Sequence, residues 1–263
     1  MFRKWKIKRE EEKEKRMEKT TFIFKKAEDC QKVVSCFNGG EIDFEKIIPS
    51  PKEEIYDISE GDALFALADM YIMEEGAKLY DDALRAFFGH RSRDLRKRCI
   101  GEARIRLADG ERPSDTDYAS ATNLLKNFQK FGITSFSQWA KAHWGSKSNA
   151  SATVITEKEI SFLSEGEPNL VLRAISKKFP DIPFVVISYE GTPDDNSSMV
   201  NTYENYHGRL VMKVVYTVSY HKNETEEYFE EWPTPRGISQ TPERAQEHRR
   251  TTPEKIASRI WCD

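Results

Sequence analysis

The sequence predicts an α+β fold: an antiparallel sheet carrying two helices on one face, interrupted by a helical insertion. Three observations lead there. The β-branched and aromatic run TTFIFKK is followed at once by AEDCQKVVSCF, in which Cys30, Val33, Val34 and Phe37 recur at helical spacing. From about residue 61 to 131 the apolar spacing stays helical. After residue 150 it changes to a period of two, and the runs SATVITEKEISFLSE, IPFVVISYEG and MVNTYENYHGRLVMKVVYTVSY read as strands around one helix, NLVLRAISKKFP. Strands punctuated by two helices fit a layered α+β domain.

Each element has its own warrant. Residues 1–19, MFRKWKIKREEEKEKRMEK, place glutamates three and four positions from lysines or arginines, the pattern of a solvated helix or a projecting arm. After the Asn38-Gly39-Gly40 break, the two prolines of IDFEKIIPSP forbid a helix and predict an extended connection laid over the fold. Three helical stretches follow. The first runs from Gly61 to about Phe88 with a break near Gly76, the second is SRDLRKRCIGEARIRLAD, and DTDYASATNLLKNFQKFG ends at Gly132. The two strands of SATVITEKEISFLSE turn over a polar loop, and a hairpin turns at His207-Gly208 with a second arm long enough to cross a sheet. Beyond Trp232 the chain is polar and broken by proline, which predicts a surface tail whose Thr-Pro steps punctuate turns. Its end, IASRIWCD, can dock a last helical turn through Ile256, Ile260 and Trp261. The resulting division is an arm at 1–19, a domain at 20–232 with its insertion at about 61–131, and a tail at 233–263.

Composition bounds the function classes. A chain of 263 residues buries an adequate core without metal or disulfide help. A net charge of −3 is not that of a chain built throughout for nucleic acid. Cys30, Cys36, Cys99 and Cys262 form no CxxC pair, as expected of reduced thiols in a cytoplasm. No run approaches the roughly twenty apolar residues of a membrane helix, so no membrane partner is expected. His90, His143, His207, His221 and His248 are far apart with no HExxH, and no GxSxG, Walker or GxGxxG motif occurs; the sequence calls for no metal and no cofactor.

Four places hold the remaining chemistry. In SFSQWAKAHWGSKSNA, Trp139 and His143 share one helix face and Ala140 and Trp144 another. Gly145 then ends the helix in the left-handed region, and Lys147 and Asn149 bond backbone carbonyls as the chain enters the sheet. The alternative is ligand contact by His143, Trp144 and Lys147. Glu190, beside Tyr189 and followed by Asp194 and Asp195, forms a weak carboxylate signal that is more economically a solvated loop. The second insertion helix concentrates Arg91, Arg93, Arg96, Lys97, Arg98, Arg104 and Arg106, a density suited to phosphate or to acidic neighbours within the protein. NETEEYFEEW interleaves Glu224, Glu226, Glu227, Glu230 and Glu231 with Tyr228, Phe229 and Trp232. Aromatic anchors with steering carboxylates suit a basic protein groove, and a charge-protected edge strand is the plainer alternative.

Four segments, IDFEKIIPSP (42–51), WAKAHWGSKSNA (139–150), KKFPDIPF (177–184) and SYEG (188–191), resemble the YubB-type ferredoxin-like family of bacterial plasmids and phages. The resemblance covers roughly residues 20 to 215 in order. It implies a ferredoxin-like topology and a family-motif pocket or hinge at Trp139, His143, Trp144, Gly145, Lys147, Asn149, Tyr189 and Glu190. The name describes topology alone, since four scattered cysteines cannot supply an iron–sulfur cluster. By that resemblance the chain is expected to be an accessory protein of a mobile element in a bacterial host cell; the lack of catalytic motifs and the acidic-aromatic run NETEEYFEEW add the expectation that it is non-enzymatic. It would bind a host macromolecular complex, such as a defence nuclease, and inhibit or redirect it. A nucleic-acid-binding module built on residues 91–106 is the alternative, a small enzyme using His143, Lys147 and Glu190 a weaker one. Self-association is expected from apolar stripes too large for one short sheet to cover.

Overall fold

The computed structural model describes residues 17–37, 41–56, 58, 60–89, 92–190, 198–213, 217–222, 227–232, 249–251 and 253–261. Among them the chain forms an α+β fold of two compact units: residues 50–139 make one, and 17–49 with 140–261 make the other.

The larger unit is organised by β1 (Met17–Phe24), whose last five residues are all buried. Burial on both faces is what makes a strand central. Phe22 and Phe24 fill one face and Ile23 the other. Strand β1 pairs antiparallel with β3 (Glu159–Glu165) on one side and with β4 (Phe184–Glu190) on the other, and β3 pairs in turn with β2 (Ser151–Ile155). The order is β2-β3-β1-β4, with α1 (Ala27–Val34) following β1 and α7 (Asn169–Lys178) following β3. Beyond β4 the sheet continues through β5 (Ser198–Tyr206), β7 (Thr217–Lys222), β8 (Glu227–Trp232) and β9 (Arg249–Thr251), while β6 (Arg209–Met212) pairs with the same β5.

Side-chain bonds show which face α7 covers. Ser176 of α7 donates to Asn205 Oδ1 (2.5 Å), and Asn205 Nδ2 donates to the carbonyls of Phe179 (2.8 Å) and Ile182 (2.7 Å). Asn205 shares its face of β5 with Tyr203, which stands opposite Val186, itself opposite Phe22.

The opposite face is covered by α8 (Pro253–Ile260), whose Ile256, Ala257 and Ile260 pack with Ile23, Val185, Ile187 and Tyr189. Full burial of each isoleucine stabilises the contact by about 1.5–3 kcal/mol. The docking expected of Ile256 and Ile260 is therefore present, but the boundaries move. Residues 249–251 and 253–260 are a strand and a helix of the domain rather than surface tail, because this apolar face needs a cover.

Three further expectations change. Met17–Lys19, read with the charged leader, begin β1 by pairing with Leu163–Glu165; residues 1–16 lie outside the described residues. IDFEKIIPSP is not simply extended: it makes a 3-10 turn at Phe44–Lys46, capped by Asp43, and Phe44 is completely buried. The hairpin does turn at His207-Gly208, with φ of 48° and 76°, but its return arm is interrupted. Between the Tyr203↔Met212 and Met199↔Ser219 pairs, four steps along β5 face seven on the return arm, so β6 and β7 are separate strands.

The helical unit contains α2 (Glu60–Met73), α3 (Lys78–Phe88), α4 (Ser92–Ala108) and α5 (Asp115–Phe131). The break falls at Gly76, where φ is 84°. Leu64, Leu67, Leu84 and Leu124 form its core with four alanines. The stripes read as a reason for self-association are thus largely satisfied within this unit. Helix α5 begins with a Ser114/Asp117 capping box and ends at Gly132 with φ 70°. Tyr118 donates to the buried Asp69, which pushes the phenol up to about 12. Asn127 bonds both the N–H and the carbonyl of Tyr56 (2.9 Å each), taking the place of a strand neighbour.

Candidate functional site

The family-like segment lies on α6 (Phe136–Trp144) and the turn after it, and the chain crosses from one unit to the other inside this helix, between Trp139 and Ala140. Trp144 is 1% exposed, its Nε1–H donates to the Ile48 carbonyl (2.9 Å), and its ring meets Phe44 edge-on at 5.6 Å. Phe44 in turn meets Phe162 of β3 edge-on. Asn149 Oδ1 accepts from the N–H of Phe44 (2.8 Å) and of Ala150 (2.9 Å), and its Nδ2 donates to Asp43 (2.8 Å). Its partners are thus backbone N–H groups and a carboxylate, not the carbonyls expected from the sequence. Together Trp144 and Asn149 hold the 42–49 segment against the sheet.

Gly145 is left-handed, with φ of 85°. A Cβ there would lie 2.5 Å from Asn169 Oδ1, 2.6 Å from the Glu167 carbonyl and 2.9 Å from the Asn169 nitrogen. Glycine is required twice over, by its φ and by the approach of the α7 N-terminus. Lys141 Nζ donates to the Gly145 carbonyl (2.5 Å), and the Lys147 N–H donates to the Glu165 carbonyl (3.0 Å). The Lys147 ammonium stands exposed, 3.4 Å from the Glu165 carboxylate. Trp139 is buried and stacks on Phe136 at 6.0 Å, whereas His143 is exposed. The segment therefore places Trp144, Gly145 and Asn149 in one structural junction and leaves His143 and Lys147 on the surface.

A second polar constellation has no local signature in the sequence. Tyr203 of β5 hydrogen-bonds Glu167, and burial with the charges of Glu167 and Glu18 holds the phenol well above the usual tyrosine range, against the pull of Arg173. Tyr203 is a neutral donor at any working pH and not a base. The Glu167 Oε1 atom is buried without a hydrogen-bond partner. Close by, Glu18, Ser164 and Glu190 occupy one rung of the sheet. Tyr189, beside Glu190, belongs to the opposite face: it is buried under α8 and has Lys19 Nζ 5.8 Å from its ring. Glu18, Glu167, Arg173 and Tyr203 are drawn from four separate elements or loops, and only the strand register brings them together.

The basic helix splits into two groups. Arg96 pairs with Asp81, and Arg106 pairs with Glu111 (2.6 Å) while its guanidinium lies 3.6 Å from the Phe65 ring centre. Arg93, Lys97, Arg98 and Arg104 are exposed, near an Ile105 that is 64% exposed. Arg93, Lys97 and Arg104 fall within about 40° on the helix circumference. Arg91 lies outside the described residues.

Glu224 and Glu226 also lie outside the described residues, as do Asp194 and Asp195. The strand Glu227–Trp232 is not at an edge: β7 pairs with it on one side and β9 on the other. Its register sets Glu227 opposite Lys222, Glu230 opposite Arg250 and Glu231 opposite Arg249. Residues of opposite charge on one rung stabilise a pairing by about 0.2–1 kcal/mol. Tyr228, Phe229 and Trp232 stand opposite His221, Tyr220 and Thr217.

Among the described residues no group of three or more His, Cys, Asp or Glu is placed to hold a metal ion, and no helix is long and apolar enough to cross a membrane. The Cys30 thiol is pushed up to about 11 and that of Cys99 to about 12, each by burial first and a neighbouring glutamate second.

No family model matches the chain, and no curated protein matches it. Among solved structures the chain is similar to the crystal structure of a protein api92 from Yersinia pseudotuberculosis, family-model DUF1281, at 9% identity and a TM-score of 0.30, over 75% of this chain and 97% of that one.

Proposed function

We propose that this chain is a non-enzymatic accessory protein of a phage or plasmid, of the YubB-type ferredoxin-like family, that binds a host macromolecular complex such as a defence nuclease and inhibits or redirects it. One observation carries the choice of binding over catalysis. Trp144, Gly145 and Asn149, the most distinctive residues of the family-like segment, are engaged in holding residues 42–49 and the start of α7 in place. The β2-β3-β1-β4 order, with a helix after β1 and after β3, supports the ferredoxin-like part of the reading.

The surface proposed for the partner is the part of the sheet that carries Glu227–Trp232, together with Glu226 of the sequence. Because β8 is paired on both sides, a partner recognises it through its acidic and aromatic residues and not by adding a strand. The register also decides how to test it. Reversing Glu230 or Glu231 sets like charges against Arg250 or Arg249 and weakens the β8–β9 pairing, whereas Glu227 opens β8 and has no register partner on β9. The double variant Glu226→Lys/Glu227→Lys is expected to lose the host complex in an affinity capture while its circular dichroism matches the parent. Undiminished capture would reject this surface.

The exposed cations of α4 favour a second reading, nucleic-acid binding in the cytoplasm of the host. Four phosphate contacts from Arg93, Lys97, Arg98 and Arg104 would give a slope of log K against log salt of about −3 to −4 on duplex DNA. The four-alanine variant is expected to flatten that slope toward zero. Absence of binding at low ionic strength would remove the reading.

A further inference from the structure

The face of the sheet under α8 carries a titratable contact that the proposed binding function does not use. Glu159 opens β3 directly opposite Ile23, so it belongs to the same face as the apolar residues that α8 covers. Its side chain is hydrogen-bonded to that of Glu254 in the first turn of α8. Two carboxyl groups can share a hydrogen bond only while one of them keeps a proton. The helix N-terminus stabilises the negative charge at Glu254, so the proton resides on Glu159. One oxygen of Glu159, Oε1, is buried and no donor satisfies it, so ionisation there gains no solvation.

We propose that α8 is a proton-dependent latch, closed by a carboxyl–carboxylate hydrogen bond between Glu159 and Glu254 and opened when that proton leaves to solvent, uncovering the apolar face of β1 and β4. Among the described residues the following groups bear on the pair. Lys19 of β1 lies on the same side and favours ionisation, and Cys30 of α1 is near enough that Glu159 adds to burial, the larger cause, in pushing its thiol up to about 11. Helix α8 itself brings Lys255 and Arg259, and Lys25 sits with Nζ 5.2 Å from the Trp261 ring beyond the helix end.

The sign follows from the proton count. Burial first, and Glu254 second, push the Glu159 carboxyl up to about 7 when α8 is docked, from an ordinary 4.5. The docked state therefore binds more protons than the undocked one. Docking is at full strength below the ordinary value, weakens as pH rises through the window, and levels off above about 7.

Hydrogen exchange of the full chain, read at residues 253–261 at pH 5.0 and pH 8.0 and corrected for intrinsic rates, tests the latch. Protection of α8 is expected to fall about tenfold or more at the higher pH, with the β1 and β4 amides still protected. Glu159→Gln, which keeps the hydrogen bond without the charge, is expected to hold that protection at both pH values. Unchanged protection of α8 in the parent, a Glu159→Gln variant that loses protection as the parent does, or simultaneous loss in β1 and β4 would overturn the proposal.

Discussion

Replacing Trp144 by alanine destabilises the sheet unit by about 3–5 kcal/mol, the usual cost of truncating a fully buried aromatic. The indole is 1% exposed, meets Phe44 edge-on and satisfies the Ile48 carbonyl, so its loss leaves both a cavity and an unpaired acceptor. Trp144→Phe separates the two effects. It keeps a ring beside Phe44, loses the N–H donor, and is expected to cost about 1–3 kcal/mol. Denaturant midpoints followed by circular dichroism rank parent, phenylalanine and alanine in that order. If Trp144 were instead a ligand contact, alanine would leave the midpoint where it was and affect binding alone.

Gly145→Ala is the second large effect, at about 2–5 kcal/mol, from a left-handed backbone and from overpacking together. Two of the three atoms that a Cβ would meet belong to the backbone of Glu167 and Asn169, so no side-chain rotation relieves the contact. Gly132→Ala is the matched control. Its φ is also positive, 70°, yet nothing lies within 4 Å of a Cβ there. It should cost only about 1–2 kcal/mol, the conformational part. Equal midpoint shifts for the two variants would show that the approach of the α7 N-terminus is not what demands glycine at 145.

Much of this architecture was legible in the sequence because its elements are locally consistent. Period-two runs became β2, β3 and β4, helical stripes became α2 to α5, and Gly76, Gly132, Gly145 and Gly208 marked turns because each has a positive φ. What was not legible depends on distant residues. Phe44 carries no local sign that it will be buried between Trp144 and Phe162. Polar residues 249–251 pair only because β8 offers them a ladder, and α8 docks because both faces of β1 are apolar. The same applies to the candidate sites. The sequence marked Trp144, Gly145 and Asn149 as unusual, but what they hold became visible only with the 42–49 segment in place. The carboxyl pair of Glu159 and Glu254, and the cluster around Tyr203, join positions whose separation no sequence motif records.

The central claim, that the chain acts by binding a host complex, is tested most directly by affinity capture of the tagged protein from bacterial lysate, with and without nuclease, beside Glu226→Lys/Glu227→Lys. A protein complex in fixed stoichiometry that survives nuclease and is lost in the double variant is the predicted result. Recovery of no complex, or of one that disappears on nuclease treatment, would contradict it.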